Sequence, residues 1–484
     1  MAKFKATLRP FFGALALVFT FGCTAGILGN NRPREANKTT PKSFGAGTQQ
    51  GVTSVAAQKH WDGFFAEAKL SSLIASAIQR NQELNIRFQE IIIARAEVMG
   101  ARGAYLPNVA LGAGGGIEKV GRRTSQGVSD RAHGVPEHLA DLRFGLIASW
   151  EVDIWGRLRN ARKAANYRYL ASIEARNFVI TEVVAEVASS YWDLVALDKQ
   201  LEILNSNIEL YQSALDSVIL KKEAARGTQL EVERFQAELL KNRGRVYQVE
   251  QQRILVENRI NFLLGRFPQK VARDDSLFAM QAPAFVETGL PSALLENRPD
   301  VREATNILEA AKLDTKVAKA RFYPSLSIEA GAGYQSFNAK HLLDTPQSLA
   351  YHAAGNLVAP LLNRAAIKAD YQSANARQIQ AVYNYERTLL RAYTDVVNQL
   401  ATLDRLTQRY NQLEQQVKAL QNAIDMATIL FGSARADYTE VLLTRRDYLD
   451  AQIELVETKK QQLQAVVGIY RALGGGWRTR RSKR

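Results

Sequence analysis

The chain has 484 residues, of which 46% are hydrophobic and 23% charged. That composition belongs to an ordered protein, and that length suits two or more ordinary domains or one large repetitive architecture. The formal net charge of +15 sits partly at the two ends, and the remainder is mixed with acidic residues along helix faces, which argues against nucleic acid as a partner.

Lys3, Lys5 and Arg9 precede an apolar run from Phe11 to Gly22. The run is too short for a permanent membrane helix, so residues 1–22 read as a secretory signal and the protein is expected to leave the cytoplasm. Cys23 is the single cysteine and excludes an internal disulfide. A lone cysteine where a signal ends resembles the acceptor of bacterial lipoproteins, whose thiol is acylated after cleavage; Thr20 stands where an aliphatic residue is usual. Residues 23–60 are then an anchor and linker segment.

The stretch from Asn81, NQELNIRFQEIIIARAEVMGARGAYLPNVALGAGGG, returns without a gap from Arg298 as RPDVREATNILEAAKLDTKVAKARFYPSLSIEAGAGY, an offset of 217. WGRLRNA at Trp155 pairs with LNRAAIK at Leu362, and ALDSVILKKEAARGTQLEV with AIDMATILFGSARADYTEV, at offsets of 207 and 209. Offsets this steady predict a tandem duplication, with copies at 61–264 and 299–474, a proline-bearing linker at 265–298 and a basic tail at 475–484.

Each copy reads helix, strand, loop, strand, very long helix, break, helix. Neither glycine nor proline occurs from Arg157 to Arg226 or from Arg364 to Phe431, and some seventy residues of helix reach roughly 100 Å. Val183, Val187, Leu194 and Leu201 give the first long helix a heptad-like stripe. Gly227 and Gly432 are the expected turn formers that fold each long helix back as a hairpin, and these turnarounds are where a partner would touch. Taken alone, such helices suit a structural coiled coil.

The predicted strands lie at about 107–116, 142–154, 324–334 and 349–361. Phe144, Leu146, Ala148, Trp150, Val152 and Ile154 share one face, and Leu349, Tyr351, Ala353, Gly355, Leu357 and Ala359 its counterpart, while the opposite faces are small or polar. A soluble antiparallel sheet alternates in the same way. The secretory signal and the glycine-rich polar face favour a membrane barrel with lipid on one side and water on the other. Four strands cannot close a barrel; three copies supply twelve. The polar loops Ile117–Asp141 and Gln335–Ser348 are expected to be irregular and to face the cell exterior.

The segment from Arg298, together with WEVDIWGRLRNARKAA, PLLNRAAIKA and SARADYTEVLLTRRDYLDAQIEL, resembles the TolC-type outer-membrane efflux factors over most of the chain after residue 60, and Cys23 suggests their lipoprotein branch serving multidrug pumps. The resemblance implies an α+β membrane protein: a homotrimer with a twelve-stranded barrel in outer-membrane lipid and a twelve-helix periplasmic tunnel, engaged by a periplasmic adaptor and an inner-membrane transporter.

Glu231 and Glu440 occupy equivalent positions just past the two breaks, and in a trimer give six carboxylates that favour cations. By resemblance Glu440 matches a periplasmic aperture ring. The best-known member has constricting Tyr and Arg where this chain has Phe431 and Ala436, which leaves Arg435 as the candidate substitute; Leu443 replaces a second aspartate of some members. Salt bridges within the hairpins are the structural alternative for both glutamates. The five histidines show no metal-ligand spacing and no catalytic motif stands in its proper context, so neither a cofactor nor an enzyme is expected. The reading is a passive exit duct for small molecules, with a heavy-metal or protein-secretion channel, or a lipid-tethered coiled coil without a pore, as alternatives.

Overall fold

Prolines and a subset of the glycines stand where the chain changes direction in the computed structural model, while other glycines lie within its strands. It describes residues 34–41, 43–44, 59–65, 67–274, 278, 289–433 and 438–478. The signal, Cys23, most of 23–60, part of the linker, Arg435 and residues 479–484 lie outside the described residues.

In chain order the elements are α1 (Trp61–Phe64), α2 (Ala68–Arg80), α3 (Gln82–Gly103), β1 (Asn108–Glu118), α4 (Ser125–Ala132), β2 (Leu139–Val152), α5 (Arg157–Glu223), α6 (Gln229–Leu263), α7 (Leu294–Asn297), α8 (Pro299–Ala320), β3 (Ser325–Ser336), β4 (Leu349–Val358), α9 (Ala365–Gly432) and α10 (Tyr438–Ala472). A 3-10 turn at Pro291–Ala293 leads into α7. Shifted by 217, these two short elements fall on the end of α2, so the structural repeat extends upstream of residue 299 into the linker. The chain divides into two units, Met1–Ala36 with Ala94–Tyr169 and Asn306–Asn384, and Asn37–Ile93 with Leu170–Thr305 and Tyr385–Arg484.

In the first unit the strands form one antiparallel sheet in the order β1-β2-β3-β4, with β1 and β4 as edges. Directly paired residues share a face. Leu111 opposes Leu146, Trp150 opposes Ile328, Ala332 opposes Tyr351 and Leu326 opposes Leu357, which joins the apolar sides of all four strands into one surface. Leu111, Ile117 and Tyr351 on it are 67%, 77% and 83% exposed. The other face carries Asn108, Asp141, Arg143, Glu151, Glu329, His352 and Asn356 among glycines and serines. Gly145 and Gly333 are paired across β2 and β3, and a Cβ on Gly145 would lie 2.5 Å from the Ala332 carbonyl oxygen. Ile147, a large apolar residue in the middle of this face, lies over Gly112, where a Cβ would come within 2.7 Å of its Cδ1.

The first loop departs from the expected irregular segment. Thr124 caps α4, its hydroxyl accepting from the Gly127 N–H at 3.1 Å, and Glu137 bridges Lys119 at 2.8 Å and Arg122 at 2.6 Å. Eight residues are too few to display an apolar stripe, so the cap was the only sequence signal.

The second unit holds an apolar core in which Leu70, Ile74 and Ala77 of α2 meet Val184, Val187, Ala188, Tyr191 and Leu194 of α5, Ile260 and Leu263 of α6, and Val467 and Tyr470 of α10. The heptad-like residues Val183, Val187, Leu194 and Leu201 are all buried, and each such side chain contributes about 1.5–3 kcal/mol. The helices α6 and α10 end alike. Gly265 and Gly474 take positive φ, and a Cβ on either would lie 2.4 or 2.5 Å from the carbonyl oxygen of Arg80 or Asn297, which are themselves repeat partners. Only glycine satisfies both demands.

Candidate functional site at the helix turnarounds

The first turnaround is a Schellman motif. The Arg226 N–H donates to the Lys221 carbonyl at 2.8 Å and the Ala225 N–H to that of Lys222 at 2.9 Å, with Ala225 at φ 56°. The residue in the left-handed conformation is therefore Ala225 and not Gly227, at a cost of about 1–2 kcal/mol for an L residue. Gly227 serves by its lack of a side chain: a Cβ there would lie 3.1 Å from Glu231 Oε2 and 3.3 Å from the Lys222 nitrogen. Thr228 caps α6 by accepting from the Glu231 N–H at 3.3 Å, the Thr-x-x-Glu spacing of a capping box.

At the second turnaround Gly432 is the last residue of α9, exposed and with open space where a Cβ would stand. The Ser433 hydroxyl donates back to the Ile429 and Leu430 carbonyls at 3.1 and 3.0 Å. Residues 434–437, Arg435 among them, lie outside the described residues. Glu440 is exposed in the first turn of α10. Both glutamates thus stand at helix N-termini, where free N–H groups and the macrodipole favour negative charge. Neither forms an ion pair with a described residue, so the hairpin salt bridges weighed as an alternative are not found among them.

The two turnarounds are joined by contacts that periodicity did not reveal. Tyr211, Leu215 and Val218 of α5, Val232, Phe235 and Leu239 of α6, and Tyr438 and Leu442 of α10 form one buried cluster, with the Phe235 and Tyr438 rings 6.5 Å apart. Lys221 Nζ lies 3.6 Å above the centre of the Phe431 ring. Phe431 thus carries a cation–π link between the hairpins. Arg245 and Asp450 pair at 2.9 Å further along α6 and α10.

The same three helices bury three polar atoms without partners: the Tyr211 hydroxyl, Asn242 Oδ1 and Arg445 Nε. Burial, with Glu238 adding to it, pushes the Tyr211 hydroxyl up to about 12. Each unsatisfied group costs about 1–3 kcal/mol. The seam is therefore an apolar cluster that carries three polar penalties. Elsewhere in this unit a 600 Å³ groove is lined by Glu182, Glu186, Arg259, Gln399, Gln464 and Arg471, but its arginines are already held by Glu186 at 2.8 Å and Glu182 at 3.2 Å.

The model of a family described as outer membrane efflux protein matches residues 73–266 and 290–475. The pyoverdine export outer membrane protein OpmQ of Pseudomonas aeruginosa is 29% identical over 423 residues, covering 87% of this chain and 88% of the relative. The cation efflux system protein CusC of Escherichia coli O6:H1 is 28% identical over 487 aligned residues, covering 97% and 98%. Among solved structures, the open state of the Neisseria gonorrhoeae MtrE outer membrane channel aligns with a TM-score of 0.82 at 22% identity, over 92% of this chain and 98% of that one; the likeness is one of fold.

Proposed function

Because the chain belongs to the outer membrane efflux protein family, we propose that three copies close one twelve-stranded barrel and extend it as a helical conduit, the passive exit duct of a tripartite efflux system. The observation that carries this reading is the sheet itself. Its two edges are open, and one face is continuously apolar and exposed. An open edge is not tolerated in hydrocarbon, so the edges of β1 and β4 must find each other between copies. Phe267, 92% exposed beside Phe262 and Ile86, supplies further apolar surface for a neighbouring copy to cover.

The duct opens where the turnaround seam parts, driven by a periplasmic adaptor and an inner-membrane transporter bearing on the hairpin ends. Six carboxylates from Glu231 and Glu440 then line the aperture and favour cations, with Arg435 as their basic neighbour. Relatives named for pyoverdine and for cation efflux bracket the cargo class as small molecules.

Cys23 anchors the assembly by acylation. Support comes from the segment after it: the Arg34 N–H donates to Gln378 Oε1 at 3.2 Å, Gln378 Nε2 donates back to the Arg34 carbonyl at 2.7 Å, and the Arg34 guanidinium lies over Tyr383. Gln378 is roughly 20 Å of helix from the start of α9, and the residues between Cys23 and Arg34 span at most roughly 40 Å. The thiol therefore has the reach to meet the membrane.

Planar-bilayer recording of the purified oligomer tests the duct. Discrete conductance that rises on Glu440→Ala supports it, whereas silence in both proteins leaves the lipid-tethered coiled coil.

A further inference from the structure

At the helical end of the sheet the apolar face finishes in exposed Leu106, Ile154, Trp155, Tyr323, Leu361 and Leu362. The indoles of Trp150 and Trp155 donate to the Tyr105 and Pro324 carbonyls at 3.2 and 2.7 Å, and Trp155 stacks on Tyr323 at 4.8 Å. Aromatic side chains with an apolar body and a polar edge belong at the boundary between hydrocarbon and headgroups.

Within about two helical turns of that band, or about 11 Å, six cations leave the helix ends: Arg102 of α3, Arg162 and Lys163 of α5, Lys316 and Lys319 of α8, and Lys368 of α9. All are exposed, and none forms an ion pair with a described residue. Of the carboxylates at these ends, Glu151 is engaged by Arg157, Asp153 by Arg159, Asp314 by Arg168 and Asp370 by Arg321, which leaves exposed Glu97 of α3 against the six cations. The last two pairs also join α5 to α8 and the residue after α8 to α9, so three of the four helix ends are tied into a collar. The surplus of positive charge is continuous with the lipid-facing band, and it is what the band lacks.

We propose that this collar binds the phosphate headgroups of anionic phospholipids in the leaflet on the helical side, fixing the depth at which the barrel sits. A cation held at an anionic membrane surface gains roughly five-fold in binding, so six of them discriminate strongly between charged and zwitterionic lipid. The inference rests on the membrane band described above, and the two are separable by experiment.

The full-length protein, purified in detergent, is titrated with phosphatidylglycerol or phosphatidylethanolamine and its retained lipid counted by native mass spectrometry. Phosphatidylglycerol is expected to be retained at least roughly five-fold better. The preference should fall in R162Q/K163Q/K319Q/K368Q and stay in R122Q/R123Q, whose changes lie at the far end of the sheet. Equal retention of the two lipids overturns the collar while leaving the band; retention of neither overturns both. An unchanged preference in the quadruple variant, or displacement of phosphatidylglycerol by equimolar inorganic phosphate, also overturns it, the latter marking a site for free anions. Should the variant fail to assemble, the wild type decides: a preference that persists at about 1 M salt is not ionic and sinks the proposal.

Discussion

Asn81 and Arg298, equivalent positions of the two copies, each tie down the end of their own half: the Asn81 amide donates to the Leu263 carbonyl and the Arg298 guanidinium to that of Ala472, both at 3.0 Å. The acceptors are themselves repeat partners, so one hydrogen bond has been kept through a change of residue type. Arg298 additionally pairs with Asp300 at 2.7 Å and Asp395 at 3.3 Å. Arg298→Met is therefore expected to cost about 3 kcal/mol, because the Ala472 carbonyl and the partly exposed Asp300 and Asp395 lose their shared donor, against about 1–3 kcal/mol for Asn81→Ala. Thermal melts of the two variants check the order; Asn81→Ala as the worse variant would contradict it.

Ala225→Gly removes the left-handed strain at the first turnaround and is expected to stabilise it by about 1 kcal/mol, less what the unfolded chain gains in freedom. Amide hydrogen exchange of Ala225 and Arg226 should slow accordingly. Gly227→Ala should accelerate exchange there, since its new methyl meets both Glu231 and the Lys222 nitrogen. Opposite signs for these neighbours are the diagnostic result.

Lys221→Met and Phe431→Leu each remove the cation–π link between the hairpins. A double-mutant cycle on thermal stability is expected to give a coupling of about 0.5–2 kcal/mol, and both single variants should conduct more than the wild type at rest. Additive effects would show that the contact carries no coupling.

Burial raises the pKa of Glu303, with Asp300, Glu174 and Glu90 adding to it and Arg87 opposing. A carboxyl whose folded pKa exceeds its unfolded value stabilises the fold below the unfolded pKa and loses that contribution as pH rises through the folded one. Glu303→Gln should therefore be more stable than the wild type near about pH 7, with the difference shrinking toward about pH 4. A difference that grows on acidification would reverse the assignment.

The strand faces were legible because they alternate at every strand, from Leu111 to Leu357, and a slip of one residue would carry Phe144, Leu146 and Trp150 to the other side. The long helices were legible from the missing glycine and proline. The helix α4 was not, since its one cue was Thr124. At the turnarounds sequence pointed to Gly227, but chain reversal fell to Ala225, because glycine was needed more for the room it leaves Glu231. The link from Lys221 to Phe431 joins residues about two hundred positions apart on different hairpins, and no local pattern encodes such a meeting.

The open edges of β1 and β4 bear on how the protein is made. If three copies share the proposed barrel, a single chain would present unsatisfied backbone to the hydrocarbon and have no route into the bilayer alone, which makes insertion a collective event whose rate falls steeply when the chain is scarce. For the same reason a subunit with one damaged edge strand spoils the sound partners it joins, and such an allele will act dominantly when co-expressed with the intact gene.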